Sequence, residues 1–299
     1  MRIGAVPAVL TGVLLAASGC AGIPRTAPSA RPSASARPSV TASPSAAGPP
    51  DHVVIVVAEN HADNEIVGAA PFLTGLASTG ARFTDSYAVA HPSEPNYLAL
   101  FAGSTFGLTD DSCPHTYQAD NLAHQLVGSG RTFAGYAESL PTDGYTGCAS
   151  GRYARKHNPW VNFPDVPPTA NLTLRRFPDD YAALPTVSFV IPDLCGDMHD
   201  CPVATGDGWL RTHLGGYVTW AQTHNSLLIV TFDEDDETAG NRILTVFSGG
   251  PVRPGSYGER VDHYRVLRTV QSLYGLPCLA ASCGVDPVTD VWRRPLTGR

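Results

Sequence analysis

Two unbroken apolar runs, each followed by acidic or amide residues, constrain the fold of this chain more than any other feature. The run VVIVVA is followed by Glu59 and Asn60, and the run LLIVTF is followed by Asp233 and Glu234. A run of this kind is typical of a strand buried on both faces, as in a parallel sheet covered by helices. Because ligands bind beyond the carboxyl ends of such strands, we expect these four side chains to form two walls of one site. Their oxygen atoms suit Mg²⁺, Ca²⁺ or Mn²⁺, and Zn²⁺ once histidines join them.

Strand-like and helix-like segments alternate from residue 51 onward. The predicted strands cover residues 52–58, 131–137, 186–191, 226–232 and 243–247, and the predicted helices cover residues 65–79, 94–102, 120–129, 208–223 and 262–274. This alternation predicts an α/β fold with a mostly parallel central sheet and helices on both faces. The segment 138–180 is irregular and rich in Gly, Pro and Asn, and a connection of that length in a compact domain is usually functional.

The first fifty residues are not expected to belong to this fold. Residues 1–20 have a basic start, an apolar stretch and small residues before Cys20, which is the layout of a secretory signal. The sequence Ala-Ser-Gly-Cys resembles the lipobox of bacterial lipoproteins, in which the cysteine is lipidated; a plain secretory signal is the alternative. Residues 21–50 contain no aromatic and no acidic residue, so we expect a disordered linker. The catalytic domain is then predicted to span residues 51–299, exported and either anchored at the outer face of the cell membrane through Cys20 or secreted.

The cysteine count agrees with export. Without Cys20 the chain has six cysteines, namely Cys113, Cys148, Cys195, Cys201, Cys278 and Cys283. Six cysteines allow fifteen pairings, and the short-range ones are the simplest: Cys195 with Cys201, Cys278 with Cys283, and then Cys113 with Cys148. A zinc–thiolate site is the weaker alternative, because the sequence contains no C-x-x-C spacing.

The segment HPSEPNYLALFAG places a serine at the start of a predicted helix. Ser93 precedes Glu94 and Pro95, and proline is favoured in the first helical turn. Ser93 is therefore interpreted either as a helix cap or as a reactive group. The N-terminus of a helix is a natural site for phosphate, and a metal ion would lower the pKa of the hydroxyl enough for attack on phosphorus.

Six motifs in order make the chain similar to a known family. They are AEN after the first run, HPSEPNY, YARKHNPW, IPDLCGDMHDC, TFDEDD and DHYRVLRTVQSLYGLP. Over residues 51–280 the chain resembles the bacterial phosphoesterase family, which includes acid phosphatases and phospholipases C. That family belongs to the alkaline-phosphatase-like α/β superfamily, whose members form a phosphorylated hydroxyl on a metal-bound nucleophile. The resemblance implies a phosphoesterase that needs a divalent cation of unspecified identity.

The resemblance also implies a role for individual residues. The implied metal ligands are Glu59, Asn60, Ser93, Asp233 and Glu234, with Ser93 also the nucleophile. The implied catalytic histidines, which contact phosphate or serve the leaving group, are His91, His157, His199 and His263. Asn96 and Asp197 are implied to bind substrate. The remaining acids of the TFDEDDE run, Asp235, Asp236 and Glu237, are expected to be solvated rather than to bind metal.

Several functions remain open at this stage. The net charge of −7 and the lack of a basic patch exclude nucleic acid as an expected partner, which leaves a small phosphorylated substrate or a phospholipid. The short chain favours a phosphate monoesterase over a phospholipase C-type diesterase, whose family members often carry added C-terminal domains. A sulfatase is disfavoured because Tyr97 stands where sulfatases carry an arginine. A membrane-tethered binding protein that holds a metal without catalysis is the alternative from another class.

Overall fold

One large sheet runs through residues 48–294, the part of the chain that the computed structural model describes. The strands are β1 (His52–Ala58), β2 (Ala81–Ser86), β3 (Phe133–Ala137), β4 (Ala149–Ser150), β5 (Tyr153–Ala154), β6 (Asn171–Thr173), β7 (Val187–Ile191), β8 (Ser226–Phe232), β9 (Thr245–Ser248) and β10 (Gly255–Val261). The α-helices are α1 (Asp63–Ile66), α2 (Pro71–Thr79), α3 (Ser93–Ala102), α4 (Leu122–Gly128), α5 (Val203–Ala221) and α6 (His263–Tyr274). Short 3₁₀ turns lie between them, most of them between residues 155 and 183.

The sheet is mixed but mostly parallel. Its eight strands follow the order β10-β2-β9-β8-β1-β7-β3-β6, and β4 and β5 form a separate small hairpin. Only β9 runs antiparallel to its neighbours β2 and β8 among the described strands of the large sheet. The two apolar runs, β1 and β8, are adjacent and parallel. The predicted α/β fold with a mostly parallel central sheet is therefore confirmed.

Helices cover both faces of this sheet, also as predicted. Successive residues of β1 point to opposite faces, so that Val53, Ile55 and Val57 join one apolar cluster and Val54 and Val56 join the other. The first cluster contains the apolar side chains of α3, α4 and α6, and the second those of α2 and α5. Burial on both sides explains why the sequence of β1 shows no polar alternation.

Several boundaries differ from the prediction for local reasons. The helix predicted over 65–79 is two helices, because Gly68 adopts a φ of +98° and Pro71 begins the second one. Strands β2, β6 and β10 were not predicted. The residues of β10 are mostly polar or glycine and largely exposed, since the strand lies at the edge of the sheet. An edge strand carries no apolar run from which it can be recognised.

Three disulfides join the predicted pairs of cysteines, Cys113–Cys148, Cys195–Cys201 and Cys278–Cys283. Their presence agrees with an exported protein. The predicted signal, the lipidated Cys20 and all but the last three residues of the predicted linker lie outside the described residues. Within residues 48–294, none of the helices combines the length and the apolar character needed to cross a membrane.

Candidate active site

The carboxyl ends of the two apolar strands bring two acids side by side. Ala58 and Phe232 are partners in the parallel register, so the next residues, Glu59 and Asp233, leave the sheet together. Both side chains are fully buried. The backbone N–H of Asn60 donates to Asp233 Oδ1 at 3.1 Å, which fixes the two strand ends to each other. The structure therefore brings together the residues that follow the two runs.

Ser93 points its hydroxyl at these acids. It is the first residue of α3, and the N-cap position before it is Pro92. Its Oγ lies 3.2 Å from Glu59 Oε2 and 3.3 Å from Glu234 Oε1, within hydrogen-bond distance of both. A hydroxyl has one proton and can donate to only one carboxylate at a time. Ser93 is thus held between two acids on different strands and does not act as a helix cap.

A second layer of buried groups lies behind Glu59. Tyr97, one turn after Ser93 on the same side of α3, donates its hydroxyl proton to Glu59 Oε1. The ring of His157 stacks on Tyr97, with centroids 5.0 Å apart, and lies between two acids. Its Nε2 is 3.0 Å from Glu59 Oε1, and its Nδ1 is 3.2 Å from Asp197 Oδ2. Glu59 therefore contacts groups from two further segments of the chain.

Burial changes the protonation of this cluster. Burial raises the pKa of Glu59 well above its usual range, and the charges of Asp233 and Asp197 raise it further. Burial likewise raises the pKa values of Asp197, Asp233 and Glu234 to about 7. The pKa of His157 is lowered well below its usual value, chiefly because burial disfavours the imidazolium. Without a cation to offset their charges, these carboxyl groups take up protons at a higher pH than free carboxyl groups do.

The cluster also contains buried polar atoms that make no aligned hydrogen bond. Asp233 Oδ2, Glu234 Oε2, Asp197 Oδ2 and His157 Nε2 have no aligned hydrogen-bond partner. A buried carboxylate oxygen without a donor costs about 1–3 kcal/mol or more, which a divalent cation would offset. Single atoms of Glu59, His157 and Asp197 lie within 4.8 Å of one another, a spacing that suits a metal ion. The donor set therefore fits a hard divalent cation.

An open cleft of about 370 Å³ lies over Ser93. Its lining residues are Asn60, His91, Pro92, Ser93, Asp111, Lys156, His199, Glu234, Asp235, Asp236 and Glu237. A larger cavity, of about 480 Å³, lies near the ends of β3 and β6 and is lined by residues such as Glu138, Arg175 and His213. None of the acids around Ser93 lines that cavity. We place the site in the smaller cleft because the Ser93 hydroxyl and Glu234, one of the acids with an unsatisfied oxygen, line it.

Two of the four predicted histidines line this cleft. His91 lies between two acids, with Nδ1 2.6 Å from Glu234 Oε2 and Nε2 3.3 Å from Asp235 Oδ1. His199 follows the buried Asp197, which accepts its backbone N–H at 2.8 Å. The Cys195–Cys201 disulfide closes the loop that carries Asp197 and His199. These two imidazoles are partly exposed and able to meet a substrate.

The other two predicted histidines and both predicted substrate-binding residues lie elsewhere. His157 and Asp197 are in the layer behind Glu59 and do not line the cleft. His263 is buried at the start of α6, where its Nε2 lies 3.0 Å from the carbonyl of Phe232, the residue before Asp233. Burial lowers the pKa of His263. The geometry gives these residues contacts with the strand ends rather than with the cleft.

Asn96 contacts the loop before α3. Its Oδ1 accepts the N–H groups of Val89 and Ala90 at 3.0 Å, and its Nδ2 donates to the carbonyls of Ala90 and Pro92. All four hydrogen-bonding positions of an amide are then occupied by backbone. The structure therefore places Asn96 as a support of the loop that carries His91, although the resemblance implies contact with substrate.

Asp235 differs from the expectation that it is solvated. It is 2 % exposed, and its carboxylate accepts the N–H groups of Glu237, Ala239 and Asn241. It thereby folds the loop after β8 back beside His91. Asp236 and Glu237, by contrast, are exposed, as expected. The acidic run alone did not reveal this, because an acid that organises a turn and one in solvent look alike in sequence.

Sequence reasoning also missed Lys156 and Asp111. Lys156 Nζ donates to Asp111 Oδ2 at 2.7 Å, and both side chains line the cleft. Lys156 lies in the motif YARKHNPW, and its position beside His157 was the available signal. Asp111 lies in no motif and comes close only through folding.

Comparisons with known proteins identify relatives of this chain. The sequence model of the Phosphoesterase family matches residues 68–277. A phosphatidylinositol-3-phosphatase of Mycobacterium tuberculosis is 52% identical over 246 residues, which cover 81% of this chain and 82% of that protein. An acid phosphatase of Aspergillus fumigatus is 33% identical over 248 residues, covering 75% of this chain and 55% of the fungal protein, so the match spans little more than half of that relative. A protein of the alkaline phosphatase superfamily from Vibrio parahaemolyticus has a similar fold, with a TM-score of 0.52 at 13% identity over 77% of this chain and 67% of that one.

Proposed function

The chain belongs to the phosphoesterase family and is a hydrolase acting on phosphate ester bonds, and we propose that it is a metal-dependent phosphomonoesterase that forms a phosphoserine at Ser93. The observation that carries the proposal is the position of the Ser93 hydroxyl. It lies between Glu59 and Glu234, at the start of a buried helix and at the floor of an open cleft. The positive end of the helix dipole favours a phosphate at that place.

The proposed metal ligands are those that face the cleft or Ser93. They are Glu59, Asn60, Ser93, Asp233 and Glu234; the three acids among them are buried, and Asp233 and Glu234 each have an oxygen without a hydrogen bond. The bound cation would lower the pKa of the Ser93 hydroxyl and neutralise charge on the phosphate. We prefer this set to the group of Glu59, His157 and Asp197, because each member of the set lines the cleft or contacts Ser93, whereas His157 and Asp197 do neither.

The chain's own groups account for the proton transfers. In the first step the Ser93 hydroxyl passes its proton to Glu59 or Glu234, the two acids within hydrogen-bond distance of its Oγ. A bond forms between Oγ and phosphorus, and the bond between phosphorus and the ester oxygen breaks. The departing alcohol takes a proton from His91 or His199, the two histidines that line the cleft. In the second step water attacks the phosphoserine and gives a proton back to that histidine, while the carboxyl group returns its proton to the serine and inorganic phosphate is released. Glu234, 2.6 Å from His91, orients that imidazole in both steps.

The lining of the cleft supports a monoester with a polar leaving group. Pro92 is the one apolar residue among those that line it, so the cleft offers little surface to acyl chains. A phospholipase C would have to accommodate the diacylglycerol moiety next to the scissile bond. A phosphorylated head group, free or on a lipid, needs only the polar site. We therefore propose small phosphate monoesters and phosphoinositide monoesters as substrates, in keeping with the similarity to a phosphatidylinositol-3-phosphatase.

The test compares Ser93→Ala with Ser78→Ala, which removes an exposed serine at the end of α2. Each protein is incubated with Mg²⁺, Mn²⁺, Ca²⁺ or Zn²⁺ and with p-nitrophenyl phosphate, a phosphatidylinositol monophosphate or phosphatidylcholine. We expect Ser78→Ala to keep full activity and Ser93→Ala to lose turnover while remaining folded. Acid quenching of the wild-type reaction should trap one phosphoryl group on the peptide that contains Ser93, as detected by mass spectrometry.

Three outcomes would contradict the proposal. Undiminished hydrolysis by Ser93→Ala would exclude Ser93 as the nucleophile. Faster turnover of phosphatidylcholine than of the monoesters would favour the diesterase. Binding of metal and phosphate without turnover of any substrate would favour a binding protein.

The location of the enzyme is also part of the proposal. The disulfides support export, and we propose a lipid anchor on Cys20 at the outer face of the membrane. Cells that express the wild-type chain should incorporate a labelled fatty acid into it, and Cys20→Ser should abolish the label. Equal labelling of both proteins would exclude Cys20 as the anchor.

A further inference from the structure

The cleft contains a charged pair that the proposed reaction does not use. Lys156 Nζ donates to Asp111 Oδ2 at 2.7 Å and lies 3.5 Å from His199 Nε2. The other oxygen of Asp111 accepts the backbone N–H of Glu94 at 2.9 Å. Because Glu94 follows Ser93 directly, Asp111 fixes the ammonium group to the first turn of the helix that carries the proposed nucleophile.

Lys156 is not needed to anchor this segment of the chain, because the neighbouring Arg155 already anchors it. Arg155 is buried and donates to the carbonyls of Thr146 and His115 and to Asn162 Oδ1. Lys156 is instead part of the cleft wall, with 18% of its side chain exposed. An ammonium group has three donors, and the bond to Asp111 uses only one of them. The contact with His199 Nε2 uses at most one more, so at least one donor is left to meet a ligand in the cleft.

The distribution of charge around the cleft indicates a role for this ammonium group in binding an anion. Five acids line the cleft, namely Asp111, Glu234, Asp235, Asp236 and Glu237, and Lys156 is the one lysine or arginine among the lining residues. Burial alone would lower the pKa of Lys156, but the bond to Asp111 and the charges of Glu59 and Asp233 outweigh it, so the pKa is raised and the group stays charged at neutral pH. A phosphate dianion entering this cleft would otherwise meet mostly negative side chains.

We propose that Lys156, held in place by Asp111, binds the non-bridging oxygens of the substrate phosphate and makes the site prefer dianionic monoesters to monoanionic diesters. The inference rests on the proposed function, and it names the residue that selects the substrate class. A second negative charge strengthens the attraction to a fixed cation, whereas a diester carries one charge and a second ester group. Inorganic phosphate, the product, should be bound by the same contact.

The experiment compares Lys156→Gln, Lys156→Arg and Asp111→Asn with Arg152→Gln, which removes an exposed positive charge from the same segment. Activity is measured on p-nitrophenyl phosphate and on bis(p-nitrophenyl) phosphate, and the affinity for inorganic phosphate by calorimetry. For Lys156→Gln we expect kcat/KM on the monoester to fall by about 10- to 100-fold, the size of one charge-assisted hydrogen bond, and phosphate affinity to fall by a similar factor. The diester should lose less than about 5-fold, so the ratio of the two substrates changes.

The controls separate this role from a structural one. Lys156→Arg should restore most of the preference, Asp111→Asn should shift it less but in the same direction, and Arg152→Gln should leave it unchanged. Equal losses on both substrates, or no loss of phosphate affinity, would overturn the inference. Failure of the proposed function gives a different result, namely hydrolysis that survives Ser93→Ala. The calorimetric comparison of Lys156 variants does not depend on turnover.

Discussion

Metal binding should stabilise this protein more strongly as the pH rises. Asp197, Asp233 and Glu234 are buried together, and burial raises their pKa values to about 7. Their folded-state pKa values lie above those of the unfolded chain. In the metal-free protein, the stability from these groups is therefore complete below the unfolded pKa of about 4 and is lost as the pH rises through about 7. A cation requires the ionised form, so its binding releases protons at low pH but not at high pH.

The size of the effect follows from the number of protons released. Each proton changes the free energy of binding by about 1.4 kcal/mol per pH unit. For a domain of this size, that corresponds to about 3–6 °C in melting temperature per pH unit and per proton. Burial lowers the pKa values of the buried histidines His157 and His263, which change stability in the opposite sense. The difference between metal-loaded and chelated protein removes the part of that change that both states share.

The assay is thermal unfolding with excess EDTA and with each of Mg²⁺, Mn²⁺, Ca²⁺ and Zn²⁺, between about pH 6 and about pH 8. We expect the gap between the loaded and chelated melting temperatures to widen with pH for the cation that supports activity. Asp233→Asn, which removes one buried acid, should narrow the gap and flatten its slope. Asp51→Asn, at the other end of β1 and exposed, should change neither. A gap that is constant or shrinks with pH for every cation would refute the reasoning.

Two further predictions concern the packing around the site. Tyr97→Phe removes the donor to Glu59 and should lower the free energy of unfolding by about 1–3 kcal/mol in chemical denaturation. The control is Tyr153→Phe, which removes an equally buried but unpaired hydroxyl and should leave the free energy of unfolding unchanged. Equal losses in the two variants would refute this prediction. Gly135→Ala in β3 should lower stability by about 1–3 kcal/mol, because the added methyl group would overlap the Trp160 ring. An unchanged denaturation midpoint would show that the ring can move aside.

The sequence was sufficient to predict the structure where a residue pattern occurs in only one structural setting. An unbroken apolar run is buried on both faces, which is why β1 and β8 could be recognised with the bounds that the structure has. Adjacent parallel strands end at the same edge of a sheet, so the convergence of Glu59 and Asp233 followed from the pattern. Edge strand β10 was missed because its exposed polar residues carry no such pattern.

Sequence did not separate residues that meet the cleft from those one layer behind it. His91 and His157 both lie in motifs of the family, yet only His91 lines the cleft and His157 is enclosed between Glu59 and Asp197. The sequence does not distinguish an asparagine that binds substrate from one that, like Asn96, bonds to four backbone groups. Side-chain direction and depth depend on packing against distant segments, which a local pattern does not encode.

What the sequence determined by itself is the architecture and the type of chemistry. Apolar periodicity specifies the buried strands, and the acids after them, with a serine at a helix start, predict a phosphate- and cation-binding edge. Only the tertiary structure decided how the charges are arranged there. It buries the carboxyl groups together, so that desolvation raises their pKa values. It also brings Lys156 against Asp111 from 45 residues away. Local composition fixes whether a segment is buried, but desolvation and charge pairing depend on which distant segments share the same buried volume.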